Sequence, residues 1–279
     1  MFKERGVEIK TPEQIEKMRV AGLVVGRTLE LLRTSLHAGM TTGELDEIAE
    51  DNIRSAGATP SFKGYHGFTG SICASVNDEV VHGIPGDRVI RDGDIVSIDC
   101  GAIVDGWHGD AAITVAVGEV PPEVLELMRV TEEAMWRGIA AARLGGRVTD
   151  ISHAVESFVR SQGDFGIVED YVGHGIGSAM HQPPNVPNFG RPGRGPKLVE
   201  GLALAVEPMI VRGDQSTHVL ADDWTVMTDD GSLAAHFEHS FTLTPGGAWI
   251  LTALDGGEAR LSELGVPFGG PSVDPSVDH

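Results

Sequence analysis

The chain is short of cysteine, of positive charge and of long apolar runs. Its two cysteines, Cys73 and Cys100, exclude a disulfide framework and a thiolate zinc site. Only 21 Lys and Arg stand against 41 Asp and Glu, a net charge of −20. That balance argues against a duplex-binding surface, which needs a basic stripe. The acidity itself reads as a solubility feature. No apolar run is long enough to span a bilayer, and the stretch from Met1 to Glu8 has no apolar core of a signal peptide. A cytoplasmic, reducing setting is therefore expected, with no membrane partner and no nucleic-acid site. What is present is an ordinary globular composition, 41% hydrophobic and 22% charged, over 279 residues. That length holds one large domain or two small ones around a substantial core.

The chain also contains a diverged copy of itself. The run from Arg91 to Asp99 reads against that from Val199 to Glu207. The run from His108 to Val115 reads against that from His236 to Leu243, and Val81-His82-Gly83-Ile84 against Gly173-His174-Gly175-Ile176. Each half thus offers a His-Gly-Ile, an acid ending one apolar run and a second acid near the start of another. Two such halves face to face would gather four carboxylates and two imidazoles, the ligand types of a two-metal hydrolytic site.

Helix signals repeat in the same order. Thr11-Pro12-Glu13-Gln14 is a capping box with Pro at the first helical position, followed by Ile15, Met18, Gly22, Val25, Leu29 and Leu32 at helical spacing, with Gly39 as the stop. Thr41 with Glu44 opens a second helix carrying Leu45, Ile48, Ala49 and Ile53. In the other half Pro121-Pro122 opens a helix with Val124, Leu127, Met128, Met135, Ile139 and Ala142 inward, and 149–162 reads as the fourth helix. Helix, helix, then strands in each half predicts an α+β fold with helices covering a curved sheet. The pseudo-repeats run over about 11–119 and 120–250. Residues 255–279 are rich in Gly, Pro, Asp and Ser with weak periodicity, which predicts a mobile acidic tail after a single domain over 1–254.

One pair of acids can be placed geometrically. Asp105-Gly106 lies between two strand-like runs and is a strong hairpin signal. A two-residue loop sets Val104 opposite Trp107 and Asp99 opposite Ala112. Asp110 then shares Asp99's face as a diagonal neighbour, close enough to share an ion. Asp99 and Glu207 each end an apolar run of buried-strand type, where an unpaired acid is costly. Among the histidines, His174 ranks first as a ligand because glycines flank it, and His82 and His181 rank as second-sphere groups. His66, His108, His236 and His239 read as structural, and His37, His153, His218 and His279 as surface residues. Oxygen ligands with one imidazole suit divalent manganese, iron or cobalt, and suit calcium less well.

Several motifs combine into a pattern far more specific than any one of them. They are Gly64-Tyr65-His66-Gly67, Val81-His82-Gly83-Ile84-Pro85, Asp94-Ile95-Val96-Ser97-Ile98-Asp99, Trp107-His108-Gly109-Asp110, Gly173-His174-Gly175-Ile176-Gly177, Val206-Glu207-Pro208-Met209 and Phe237-Glu238-His239. On these the chain, from about Ile9 to Thr244, resembles the type I methionine aminopeptidases of the pita-bread fold. The resemblance implies two divalent ions (Co²⁺, Mn²⁺ or Fe²⁺) on Asp99, Asp110, His174, Glu207 and Glu238, with Asp110 and Glu238 bridging. It implies removal of the initiator methionine from nascent polypeptides and peptides, by hydrolysis with a metal-bridging hydroxide. Glu207 would shuttle the proton, His181 would meet the oxyanion and His82 the peptide nitrogen. Tyr65, Phe68, Cys73 and Trp224 would line the methionine pocket, with Phe62 and Met180 at its edge. Met180 stands where an aromatic is frequent and His236 where a Gln is common. A monomer that meets the ribosome exit region transiently is the implied setting.

Glu207 and Glu238 are only 31 positions apart, which leaves no room for the helical insertion of type II relatives. Two rivals share the fold. X-Pro aminopeptidases and dipeptidases generally carry an extra domain before the catalytic one, and only about ten residues precede the first helix here. Non-catalytic pita-bread proteins bind peptide, protein or RNA, and the complete ligand set speaks against them. A duplicated scaffold without metal would leave the matched acids unexplained.

Overall fold

The computed structural model describes residues 6–271. Its helices are α1 (Pro12–Ser35), α2 (Thr42–Ser55), α3 (Pro122–Ala141), α4 (Val148–Gln162) and α5 (Glu258–Glu263). The strands of the first half are β1 (Thr59–Pro60), β2 (Ile72–Val76), β3 (Glu79–Val81), β4 (Ile95–Val104) and β5 (Trp107–Ala116). Those that follow are β6 (Gly166–Ile167), β7 (Gly173–Gly175), β8 (Gln182–Val186), β9 (Ala203–Val206), β10 (Met209–Val211), β11 (Thr217–Val219), β12 (Val226–Thr228), β13 (Ala234–His236), β14 (Glu238–Thr244) and β15 (Gly247–Ile250).

Local chemistry accounts for the helix ends. The Gln14 N–H donates to Thr11 Oγ1 at 3.3 Å while the Thr11 N–H donates to Gln14 Oε1 at 2.9 Å. Thr41 and Glu44 make the same reciprocal pair at 3.1 and 2.8 Å. Each pair satisfies donors that the first helical turn leaves free. Helix α1 stops at Ser35, before Gly39. The positive φ of Gly39 instead turns the chain so that its N–H reaches the Ile90 carbonyl at 2.8 Å.

The main sheet is antiparallel and curved, in the order β1-β4-β5-β14-β9-β7-β8, with β2 on β4 and β15 on β14. The Asp105-Gly106 turn pairs Val104 with Trp107 and Asp99 with Ala112, the register read from the sequence. Both turn residues have positive φ, 50° and 79°, as a two-residue hairpin of this hand requires. Side chains alternate across the sheet. On β4, Val96, Ile98, Cys100 and Ala102 join α1 and α2 in one core, while Ser97 and Asp99 point the other way. A second, larger core packs α3, α4 and α5 against β9, β14 and β15. The helices therefore cover one face and leave the opposite face for polar chemistry.

Close backbone approach seats α1. A Cβ at Gly109 of β5 would meet the Gly22 backbone of α1 at 2.7 Å. Arg19 then ties the helix to the far end of the chain. Its guanidinium donates to the carbonyls of Leu251 (2.8 Å), Ala253 (2.5 Å) and Leu254 (2.9 Å).

The expected mobile tail is corrected over 255–271. Asp255 caps α5, accepting from the N–H groups of Gly257 at 2.8 Å and Ala259 at 3.1 Å. Leu261 is fully buried in the larger core. Phe268 bridges to Ala248, and the Thr244 hydroxyl donates to the Gly269 carbonyl at 2.7 Å. The composition hid this because one short helix and a few scattered apolar side chains, Leu261, Leu264, Val266 and Phe268, carry the docking, too few to show a period. Residues 272–279 lie outside the described residues. Among the described residues no helix is long and apolar enough to cross a membrane.

Candidate metal centre

Five neighbouring strands bring the acids together. Ala112 of β5 pairs with Asp99 of β4 on one side and with Glu238 of β14 on the other. Asp110 lies two residues from Ala112 and shares its face. The β9–β14 and β10–β13 ladders keep one register, with Val206 opposite His239 and Met209 opposite His236. Glu207 and Glu238 therefore stand opposite each other at the gap between the two ladders. His174 comes from β7, next to β9. The glycines around it let strands close in, since a Cβ at Gly173 or Gly175 would collide with the carbonyls of Ala205 or Pro183.

The geometry gives two close groups that share Glu238. Ligand atoms of Asp110, His174 and Glu238 lie within 4.8 Å of one another, as do those of Glu207, His236 and Glu238. The His174 Nδ1–H donates to the Gly175 carbonyl at 3.0 Å. That bond fixes the tautomer and turns the Nε2 lone pair inward, 3.3 Å from Glu207 Oε1 and 4.0 Å from Asp110 Oδ2. Asp99 belongs to neither close group, yet it lines the same cavity. Of the predicted ligands, the structure thus gathers Asp110, His174, Glu207 and Glu238 tightly, with Asp99 on the adjoining strand.

Electrostatics mark the cluster as strained without a cation. Burial pushes the Asp99 carboxyl up to about 7. Burial, then the charges of Glu238 and Asp99, pushes Asp110 well above the carboxylate range. Glu207 and Glu238 are raised for the same two reasons. His174 is driven down to about 3 by burial and then by His181. One oxygen each of Asp99, Asp110 and Glu238 is enclosed with no hydrogen-bond partner. Buried acids without donors are costly, and divalent cations among them would remove the cost. The residues present therefore fit a divalent metal centre.

Above the acids is a cavity of about 200 Å³. It is smaller than the ~300–1,000 Å³ of sites that take drug-sized ligands. Phe62, Phe68, Cys73 and Met180 are buried in one apolar cluster, with Tyr65 and Trp224 packed against it. Phe68 meets Trp224 edge-on, with ring centroids 5.0 Å apart. His82 takes a positive φ of 62° and packs edge-on against Tyr171 and Trp224. His181 Nδ1 lies 2.9 Å from the Tyr65 hydroxyl. Both histidines line the cavity, as do the four pocket residues named from the sequence.

Two residues escaped the sequence reading. Tyr171 was not singled out, and nothing in its spacing marks it. His236 was placed among structural histidines, yet its ring reaches the acids. The signal was available, because His236 precedes Glu238 by two residues and so shares its face in an extended chain.

Residues 16–245 match the family described as Metallopeptidase family M24. The chain belongs to that family. It is 53% identical over 245 residues to a methionine aminopeptidase of Clostridium acetobutylicum, covering 88% of this chain and 98% of that one. A solved methionine aminopeptidase from Thermotoga maritima superposes with a TM-score of 0.87 at 44% identity, covering 88% of this chain and 99% of that one. A prolidase from Pyrococcus furiosus reaches a TM-score of 0.70 at 23% identity, a likeness of fold alone, and the match spans only 65% of its length. The fold is thus that of the pita-bread aminopeptidases, as the sequence motifs imply.

Proposed function

We propose that this chain is a metalloaminopeptidase that removes the first methionine from peptides and nascent proteins. One observation carries the reading. Three buried carboxylates, the half-buried Asp99 and the His174 imidazole converge beneath a small apolar pocket closed by Phe68, Cys73 and Trp224. The identities with methionine aminopeptidases support it, and the prolidase likeness does not rise above fold.

We assign Asp99, Asp110, His174, Glu207 and Glu238 as the residues that would hold two divalent ions, manganese, iron or cobalt. Such ions supply an acidified water and polarise the scissile carbonyl. The chain's own groups do the rest. The apolar pocket receives an unbranched side chain and excludes water from it. Tyr65 Oη and His181 Nδ1 lie 2.9 Å apart; in the tautomer where the hydroxyl donates, the proton sits on His181 Nε2, free to donate to a developing oxyanion. His82, held by Tyr171 and Trp224, faces the peptide nitrogen. The Glu207 carboxylate can hold a proton in transit to the leaving amine. Cytoplasmic location, a monomeric state and transient contact with the ribosome exit belong to the same proposal, and the family resemblance supports them.

The test is a substrate panel under added Mn²⁺ or Co²⁺: Met-Gly-Met-Met, Leu-Gly-Met-Met and an Ala-Pro peptide. Release of free methionine from the first alone is expected. Cleavage of Ala-Pro instead would move the chain to prolyl substrates.

A further inference from the structure

We infer that His236 is an additional nitrogen ligand of the metal centre, bound to the ion that Glu207 and Glu238 hold. This rests on the metal reading above and adds a second imidazole to a site otherwise built from four carboxylates and one imidazole.

The backbone places the ring. His236 ends β13, opposite Met209 of β10, and shares the face of Glu238 two residues on. The Thr114 hydroxyl clamps it, accepting from the His236 N–H at 2.9 Å and donating to the His236 carbonyl at 2.8 Å. Ser97 lies 2.9 Å from that hydroxyl and completes the chain by donating to it. The position is therefore held from β4 and β5, the strands that carry Asp99 and Asp110.

The ring then ends on an unsatisfied atom. The residue is 1% exposed, and Nε2 is enclosed with no hydrogen-bond partner. Leaving such a nitrogen bare costs roughly 1–3 kcal/mol. Its nearest acid oxygen, Glu207 Oε2, is 3.8 Å away. That is beyond hydrogen-bond range, so a simple Glu207-orienting bond does not account for it. The separation does suit two donors on one ion, since ligands at ~2.0–2.2 Å can lie up to about 4.4 Å apart. Glu207 is then bracketed, with Oε1 toward His174 Nε2 at 3.3 Å and Oε2 toward His236 Nε2.

A second imidazole has a chemical consequence. Imidazole favours iron, cobalt, nickel and zinc over manganese, which prefers carboxylate and water. Loss of His236 should therefore weaken Co²⁺ more than Mn²⁺.

The test is an imidazole count by X-ray absorption and pulsed EPR on the Co²⁺-loaded and Mn²⁺-loaded full chain, with metal content measured alongside. Two imidazoles per centre are expected in the wild type and one in His236→Gln. Calorimetry should show Co²⁺ affinity falling about 10–100-fold in that variant, with a smaller fall for Mn²⁺. One imidazole in the wild type would overturn the assignment whatever the variant does, as would unchanged Co²⁺ affinity in a folded His236→Gln. Failure of the wild type to bind either ion would sink the metal reading itself, a result distinct from a centre with one imidazole.

Discussion

Replacing Asp99 by its neutral isostere should stabilise the metal-free protein and weaken its response to metal. The carboxyl is displaced from 3.8 to about 7 by burial, and Oδ1 has no partner. The folded chain therefore keeps a proton that the unfolded chain has lost, and the contribution to stability falls as pH rises through about 7. Near pH 8 the ionised group costs the fold about 4 kcal/mol, and near pH 5 keeping it protonated costs about 2 kcal/mol, at ~1.36 kcal/mol per tenfold in proton affinity. Relaxation and water entry reduce both figures, to about half. Asp99→Asn should then raise the melting temperature of chelated protein by roughly 4–8 °C near pH 8, given roughly 2–4 °C per kcal/mol for a chain of this size. The gain should shrink near pH 5. Five histidines are displaced downward by burial or partial burial, His82, His108, His174, His236 and His239, to about 4, 4, 3, 3 and 4. Their stability term runs the opposite way, rising with pH and complete above the unfolded value. It is common to both proteins and cancels in the comparison. Saturating Mn²⁺ should reverse the order, because ligand at a thousandfold excess over Kd adds about 4 kcal/mol to the wild type and less to a variant that has lost one ligand. A lower melting temperature for chelated Asp99→Asn near pH 8 would refute the reasoning. So would a gain of equal size at both pH values.

Other substitutions separate the roles. Asp110→Ala and Glu238→Ala should each abolish methionine release and lower bound metal on elemental analysis, since Glu238 belongs to both close groups and Asp110 to the one that holds His174; near-normal turnover in either would remove the two-ion assignment. His82→Ala and His181→Ala should lower kcat by about 10²–10⁴-fold, the usual worth of a positioned proton donor, with metal content unchanged. Metal loss in either would make that residue a ligand. Leu261→Ala should cost about 2–5 kcal/mol in denaturant unfolding, as for a fully buried leucine. An effect below about 0.5 kcal/mol would show that α5 adds nothing to the core.

Much of this was legible before any coordinates. Local rules carried the Asp105-Gly106 hairpin, because a two-residue loop allows one register and one face for Asp99 and Asp110. Capping chemistry fixed the starts of α1 and α2. The internal repeat gathered Glu207 and Glu238 with them. What failed to show was long-range. Whether 255–271 docks depends on Leu261 finding the space between α3 and the sheet, and on Arg19 holding the carbonyls before it, neither of which leaves a period. His236 was missed because a three-residue strand is too short to reveal alternation. The shared register of two ladders bears out the face that its two-residue spacing from Glu238 implies.

The most direct test of the central claim is methionine release measured against bound metal in chelated protein retitrated with Mn²⁺. The account predicts no release from Met-Gly-Met-Met in the chelated state and turnover that rises with metal bound at the cluster, without release from Leu-Gly-Met-Met. Full turnover in the chelated protein, or metal binding that leaves the Met peptide uncut, would contradict it.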